Sequence, residues 1–340
     1  MTGISRLASS AALVGGALMY VGLVATPAMA VGYPAPGGIY APFTDCPLHN
    51  PVMRLAAPGD AMGCIKSITP SGIFTINGIP VPITQPVTVQ FGTYSDQDSS
   101  GNQVFHVVPP QDHNELLASP EVIPNGLLLL VCTTGDPAVA KLCKKAMKSG
   151  HTDLSVQVEL AGDITNFSPL GSPPFTLPIQ VSLQNPLLTG QCSIGSDSDP
   201  IVLNPLFNPL GMFSFQPDPD PTRFPNVAVL AIKGSTLTDD TFSVPAATGC
   251  GPGGVANAAI NAFLGLPSPS GNNHLVLNDN NALFADDFSQ SNQARDLLAA
   301  FKASVGVPRV VQIGQSRNAP LGDDGGTPTL ALNAASRSRA

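Results

Sequence analysis

Short apolar stretches alternating with polar residues recur along most of this chain. Residues 64–69, 72–77, 86–91, 103–108, 153–160, 175–183, 226–233, 240–245 and 274–277 read as strands, because a period of two puts every second side chain on one face. In 86–91 that face carries Val87, Val89 and Phe91, and in 240–245 it carries Phe242 and Val244. Asn77-Gly78 supplies a turn signal after 72–77. Pro178 suggests that 175–183 lies at a sheet edge. Residues 127–133 are continuously apolar, as expected of a strand buried on both faces.

Helical spacing is confined to three segments. The best marked begins at Asp136 as N-cap, with Pro137 at the first helical position, and ends at Gly150. Its apolar side is Val139, Leu142, Cys143 and Ala146. Residues 255–264 follow, with Val255, Ala259 and Phe263 on one side and Gly265 as the stop. The third spans 291–305, where Ala294, Leu297, Leu298, Phe301 and Val305 share a face that could dock on the β domain or on a partner.

The rest reads as irregular: a polar loop at 95–102, a Pro-rich stretch at 206–223 and a polar link at 278–287. Many short apolar runs punctuated by Pro and Gly point to a mainly β chain, an antiparallel β-sandwich with a few short helices. The expected organisation is a signal peptide at 1–30, an extended N-terminal arm at 31–42 and a β-rich domain at 43–278. A linker and amphipathic helix at 279–305 and a mostly disordered tail at 306–340 complete it.

The leader rests on Arg6, an apolar run at 11–24 and the small-residue site Ala28-Met29-Ala30. No later segment is apolar enough to suggest a membrane span. A net charge of −8 argues against nucleic acid as a partner. Six cysteines, Cys46, Cys64, Cys132, Cys143, Cys192 and Cys250, all follow the leader, and an even count in an exported chain implies disulfides. Six allow fifteen pairings, which sequence alone does not choose among. Sequential pairing is preferred, because the three pairs then fall in three separate regions.

Residues 242–251 read Phe-Ser-Val-Pro-Ala-Ala-Thr-Gly-Cys-Gly, and 264–273 read Leu-Gly-Leu-Pro-Ser-Pro-Ser-Gly-Asn-Asn. With Cys192-Ser193-Ile194-Gly195-Ser196 before them, they resemble an uncharacterised family of secreted actinobacterial proteins. The resemblance covers about 191–278 and implies that Cys192 pairs with Cys250. It brings no activity with it.

Candidate chemistry is sparse. The sequence has no Gly-x-Ser-x-Gly elbow, no His-Glu-x-x-His and no phosphate loop, so no catalytic residue, metal ligand or cofactor site is assigned. Asp197, Asp199, Asp218 and Asp220 suggest calcium but read as solvated turns. Lys141, Lys144, Lys145 and Lys148 share one helix face, either simply solvated or an anion-docking patch for a cell-wall polymer or lipid surface.

The chain is therefore expected to be a secreted, extracellular or cell-wall-associated structural or binding protein, not an enzyme. Its partner would be an envelope component or a small apolar ligand. The alternatives are an exported hydrolase with an unrecognised site, or a carrier whose apolar faces come from 127–131 and 227–232.

Overall fold

A computed structural model describes residues 35–54, 62–132, 136–188, 191–288 and 294–306. The expected leader, the start of the arm and the tail from 307 onward lie outside the described residues.

The chain opens with a 3-10 helix at Gly38–Phe43 and α1 (Pro51–Arg54). Seven strands follow: β1 (Met62–Thr69), β2 (Ser71–Ile76), β3 (Ile79–Ile83), β4 (Val87–Gln97), β5 (Gln103–Val108), β6 (Leu116–Ala118) and β7 (Glu121–Ile123). Two helices, α2 (Gly126–Val131) and α3 (Pro137–Ser149), lead into β8 (Leu154–Leu160), β9 (Leu177–Gln184), β10 (Ser193–Ile194) and β11 (Ile201–Leu203). Next come β12 (Leu206–Phe207), β13 (Met212–Pro217), β14 (Val227–Asp239) and β15 (Ala247–Thr248). A second 3-10 turn at Pro252–Gly254, α4 (Asn257–Leu264), β16 (His274–Asp287) and α5 (Ala294–Ala303) complete the order.

All strand pairings within the two sheets are antiparallel. The first sheet runs β12-β14-β16-β1-β4-β5, with β13 also on β14, the β2–β3 hairpin on β16, and β6 on β4. The second runs β15-β10-β9-β8-β7, with β11 also on β9. The main core lies between them, where Val89 and Phe91 from the first sheet meet Leu177, Ile179, Val181 and Leu183 from the second. A smaller core covers the other face of the first sheet: Tyr40, Phe43, Leu297 and Phe301 pack over Met62, Cys64, Val227, Val229 and Ala285. Disulfides join Cys46 to Cys64, Cys132 to Cys143 and Cys192 to Cys250, the sequential pairing. The fold is thus a disulfide-stapled antiparallel β-sandwich with few helices.

The best-marked helix forms as its residues dictate. The Asp136 carboxylate accepts from the N–H groups of Ala138 and Val139, and Gly150 ends α3 in the left-handed conformation at φ 74°. The Asn77-Gly78 turn has both residues at positive φ, the backbone of a tight hairpin between β2 and β3.

Several expectations are corrected. Residues 127–131 of the apolar run at 127–133 are helical in α2, capped by Cys132, not a two-faced strand; Thr133 lies outside the described residues. Leu127, Leu130 and Val131 are buried while Leu129 is 54% exposed, which is helical spacing; a short all-apolar run cannot announce its period. The polar link at 278–287 is instead the second half of β16, so the β domain does not end at 278. Its polar residues fit because the Asn280 amide is buried and donates to Ser67 Oγ at 2.6 Å and Thr69 Oγ1 at 2.9 Å. Around Asn280, β16 changes partner from β2 to β1, Asp279 takes φ 52°, and β14 shifts register between Lys233 and Ser235. These irregularities lie side by side, where the β2–β3 hairpin gives way to β1 along β16.

The arm at 31–42 is not extended where described. Its Tyr40, and Phe43 just beyond the arm, are buried in the 3-10 helix against Phe301 of α5, with ring centroids 4.6 and 6.0 Å away. The stretch 206–223 contains β12 and β13, and β4 runs on into the expected polar loop to Gln97. Residues 240–245 form no ladder; a single bridge joins Val244 to Ser268, although Phe242 and Val244 are buried. Pro178 is not at an edge, since β9 has β8 on one side and β10 and β11 on the other. It sits just past the β8 ladder, where its carbonyl accepts from Ala161 N–H and no donor is required.

Candidate ligand cleft

Between the β2–β3 end of the first sheet and the second sheet lies a cleft of about 360 Å³. That volume falls within the range of small-molecule sites, about 300–1,000 Å³. On one side β8, β9 and β10 present Val156, Val158, Val181, Leu183 and Ile194. Val156 lies opposite Leu183 and Val158 opposite Val181, so these pairs form one continuous apolar surface. On the other side the β2–β3 hairpin contributes Phe74, Ile76, Ile79, Val81 and Ile83. Leu129 and Leu130 of α2 and Phe263 and Leu264 of α4 close the ends.

The hairpin reads Ile79-Pro-Val-Pro-Ile83, and its alternation turns Ile79, Val81 and Ile83 inward. Pro80 and Pro82 are tolerated because β3 pairs only with β2, so its outer side needs no donors. The chain crosses between sheets beside this hairpin: β6 pairs with β4, and β7, three residues further on, pairs with β8.

Glu121, the first residue of β7, ties the two sheets together at the rim. Its carboxylate accepts from Thr84 N–H at 2.6 Å, Thr84 Oγ1 at 2.7 Å and Gln85 N–H at 2.7 Å. Burial alone would raise this carboxyl, but the three donors outweigh it and hold Glu121 below its usual value. Among the described residues it is the only ionisable side chain lining the cleft; Gln85 and Ser119 are the other polar ones.

Two larger depressions are shallow and polar. One, of about 660 Å³, lies over the outer face of the second sheet and is lined by Ser155, Glu159, Gln180, Ser182 and Gln184. Its side chains already engage one another, as where Gln180 donates to Glu159 at 3.4 Å. The other, of about 720 Å³, lies beside β6 and β8.

The residues singled out from sequence lie elsewhere. Lys141, Lys144, Lys145 and Lys148 share the exposed face of α3 and do not line the cleft. Asp197 and Asp199 belong to the turn closed by the Ser196–Asp199 bridge, whereas Asp218 is buried and accepts from the Tyr40 hydroxyl. Among the described residues no three of His, Cys, Asp or Glu converge as metal ligands would. His106 stacks on Tyr94 and meets Asp96 at 2.9 Å on the partly exposed β4–β5 hairpin. Of the apolar faces assigned to a carrier, 127–131 supplies Leu129 and Leu130, while 227–232 does not reach the cleft. Sequence reasoning missed β3 and Glu121. The alternation of β3 was visible, and Glu121 is one of only three glutamates in an Asp-rich chain.

Most residues of the stretches 242–251 and 264–273 build a corner outside the cleft, which only Leu264 of them lines. Cys250 N–H donates to Asn257 Oδ1, and Ala247 N–H donates to Asn261 Oδ1. Asn273 is buried; its amide donates to the carbonyls of Phe242, Ser268 and Pro269, and its oxygen accepts from Ser268 Oγ and Asn77 N–H. Gly249, at φ 69°, admits no side chain, because a Cβ there would strike the Gln191 carbonyl.

No family model, curated protein or solved structure matches this chain. Fold and site together define a class: a disulfide-stapled β-sandwich with an apolar cleft between its sheets. Among the described residues no helix is long and apolar enough to cross a membrane.

Proposed function

We propose that this chain is an extracellular or cell-envelope binding protein that carries a small apolar molecule between its sheets, without catalysing a reaction on it. The observation behind this reading is the lining of the cleft: two sheets and two helices offer Val, Ile, Leu and Phe side chains around about 360 Å³. Leaving such surface without a partner forgoes about 25 cal/mol for each Å² that could be buried. A bound apolar ligand recovers that energy. The non-catalytic reading is supported by Glu121, whose carboxylate is engaged by three donors of the rim. The extracellular reading is supported by the three disulfides and the signal-like leader.

Protein purified from the medium of its own producing cells tests this, by organic extraction and mass spectrometry. An apolar molecule should be recovered from the wild type and be depleted in Val158→Trp, whose indole would fill the cleft. Equal recovery from both proteins, or no apolar molecule together with no binding of an added apolar probe, would overturn the reading.

A further inference from the structure

Taking the cleft as the ligand site, we infer that it selects apolar molecules that carry no negative charge and turns away chains that end in a carboxylate, and that Glu121 sets this choice. Among the described residues no Lys, Arg or His lines the cleft, so an entering anion meets no counter-charge there. A carboxylate leaving water needs either a cation or several hydrogen-bond donors. The rim does have a cluster of donors, the backbone N–H groups of Thr84 and Gln85 and the Thr84 hydroxyl. Glu121 already occupies all three, so the protein supplies its own anion where a ligand's carboxylate would bind. The same charge then repels a second one. A hydroxyl, ester or amide head meets no such conflict and finds Gln85 and Ser119 at the rim.

The inference is tested with a matched ten-carbon set, decanol, decanoate and decyltrimethylammonium, displacing the neutral fluorophore N-phenyl-1-naphthylamine at pH 7. In the wild type, decanol should bind about tenfold or more tighter than decanoate, about 1.4 kcal/mol. Decyltrimethylammonium should bind no more weakly than decanol. Two variants probe the cause: Glu121→Gln removes the charge but keeps an acceptor for the rim, and Gln85→Lys adds a cation while leaving Glu121 in place. In both, decanoate should approach decanol to within about threefold, about 0.7 kcal/mol.

Equal binding of decanol and decanoate by the wild type would overturn the selectivity but leave the cleft as a ligand site. A preference that survives in both variants would take the choice away from Glu121. Failure of the fluorophore and all three compounds to bind would overturn the ligand reading itself, and this inference with it.

Discussion

The corner around Cys250 and the mouth of the cleft face opposite demands. At the corner, polar groups are spent on one another. Asn273 alone makes five hydrogen bonds, and Cys192–Cys250 ties the chain before β10 to the turn after β15. At the mouth, the side chains are apolar and half-covered, with Val122 at 61% and Leu129 at 54% exposure. The corner's polar groups are satisfied by one another, while among the described residues the mouth keeps apolar side chains partly exposed. The difference separates residues that make the fold from residues left over for a partner. It also gives the stretches 242–251 and 264–273 a structural explanation, since Cys250, Gly249 and Asn273 are residues the corner requires.

The largest effect should come from breaking the corner. Cys250→Ser opens a 58-residue separation, and the chain-entropy relation puts the loss at about 4 kcal/mol. Urea unfolding of the oxidised protein measures this, and a loss below about 1 kcal/mol would contradict the bracing role. Asn273→Ala should cost about 1–3 kcal/mol, because it strands buried partners such as Ser268 Oγ. Thermal unfolding should show the cost without any change in ligand selectivity.

The mouth should respond the other way round. Val158→Trp should weaken binding of a neutral apolar probe at least tenfold, while stability changes by no more than about 1 kcal/mol. Destabilisation as large as that at Cys250 would mean the cleft is ordinary core.

The smallest effect is a pH dependence with two opposite signs. Burial lifts Asp286 well above the usual carboxylate range; the Asp287 N–H opposes the rise and the Asp287 charge adds to it. Asp296 is raised as well, by burial and then by Asp287. The folded state therefore keeps protons that the unfolded chain has lost, so stability should increase as pH falls from neutral toward about 4. Glu121 is shifted down, so its contribution is present above its usual value of about 4.5 and is lost as pH falls through its lower folded value. Unfolding midpoints from pH 3 to 8 should thus pass through a maximum. Asp286→Asn should flatten the neutral side and Glu121→Gln the acidic side. An unchanged profile in either variant would contradict the corresponding assignment.

Much of the fold was legible, for local reasons. The capping of α3 by Asp136 and Gly150, the Asn77-Gly78 hairpin and the alternation of β4 and β8 are each set by a few neighbouring residues. What escaped depends on distant partners. Residues 278–281 look like a loop until Ser67 and Thr69 are placed beside Asn280. The helical form of α2 follows from burial on one side only, which the run of leucines does not reveal. Of the cleft's walls the sequence pointed only to 127–131; β3 and β8 lie far apart in the chain, so no local pattern places them together. Glu121 gave no motif; its role arises from two backbone N–H groups more than thirty residues away.

Methyl NMR during titration with decanol tests the central claim most directly. The expected result is a saturable set of shifts at Ile79, Val81, Ile83, Val156, Val158 and Val181, with Met212 on the exposed strand β13 unmoved. Absence of saturable shifts at those six residues, or shifts centred on Met212, would contradict the account.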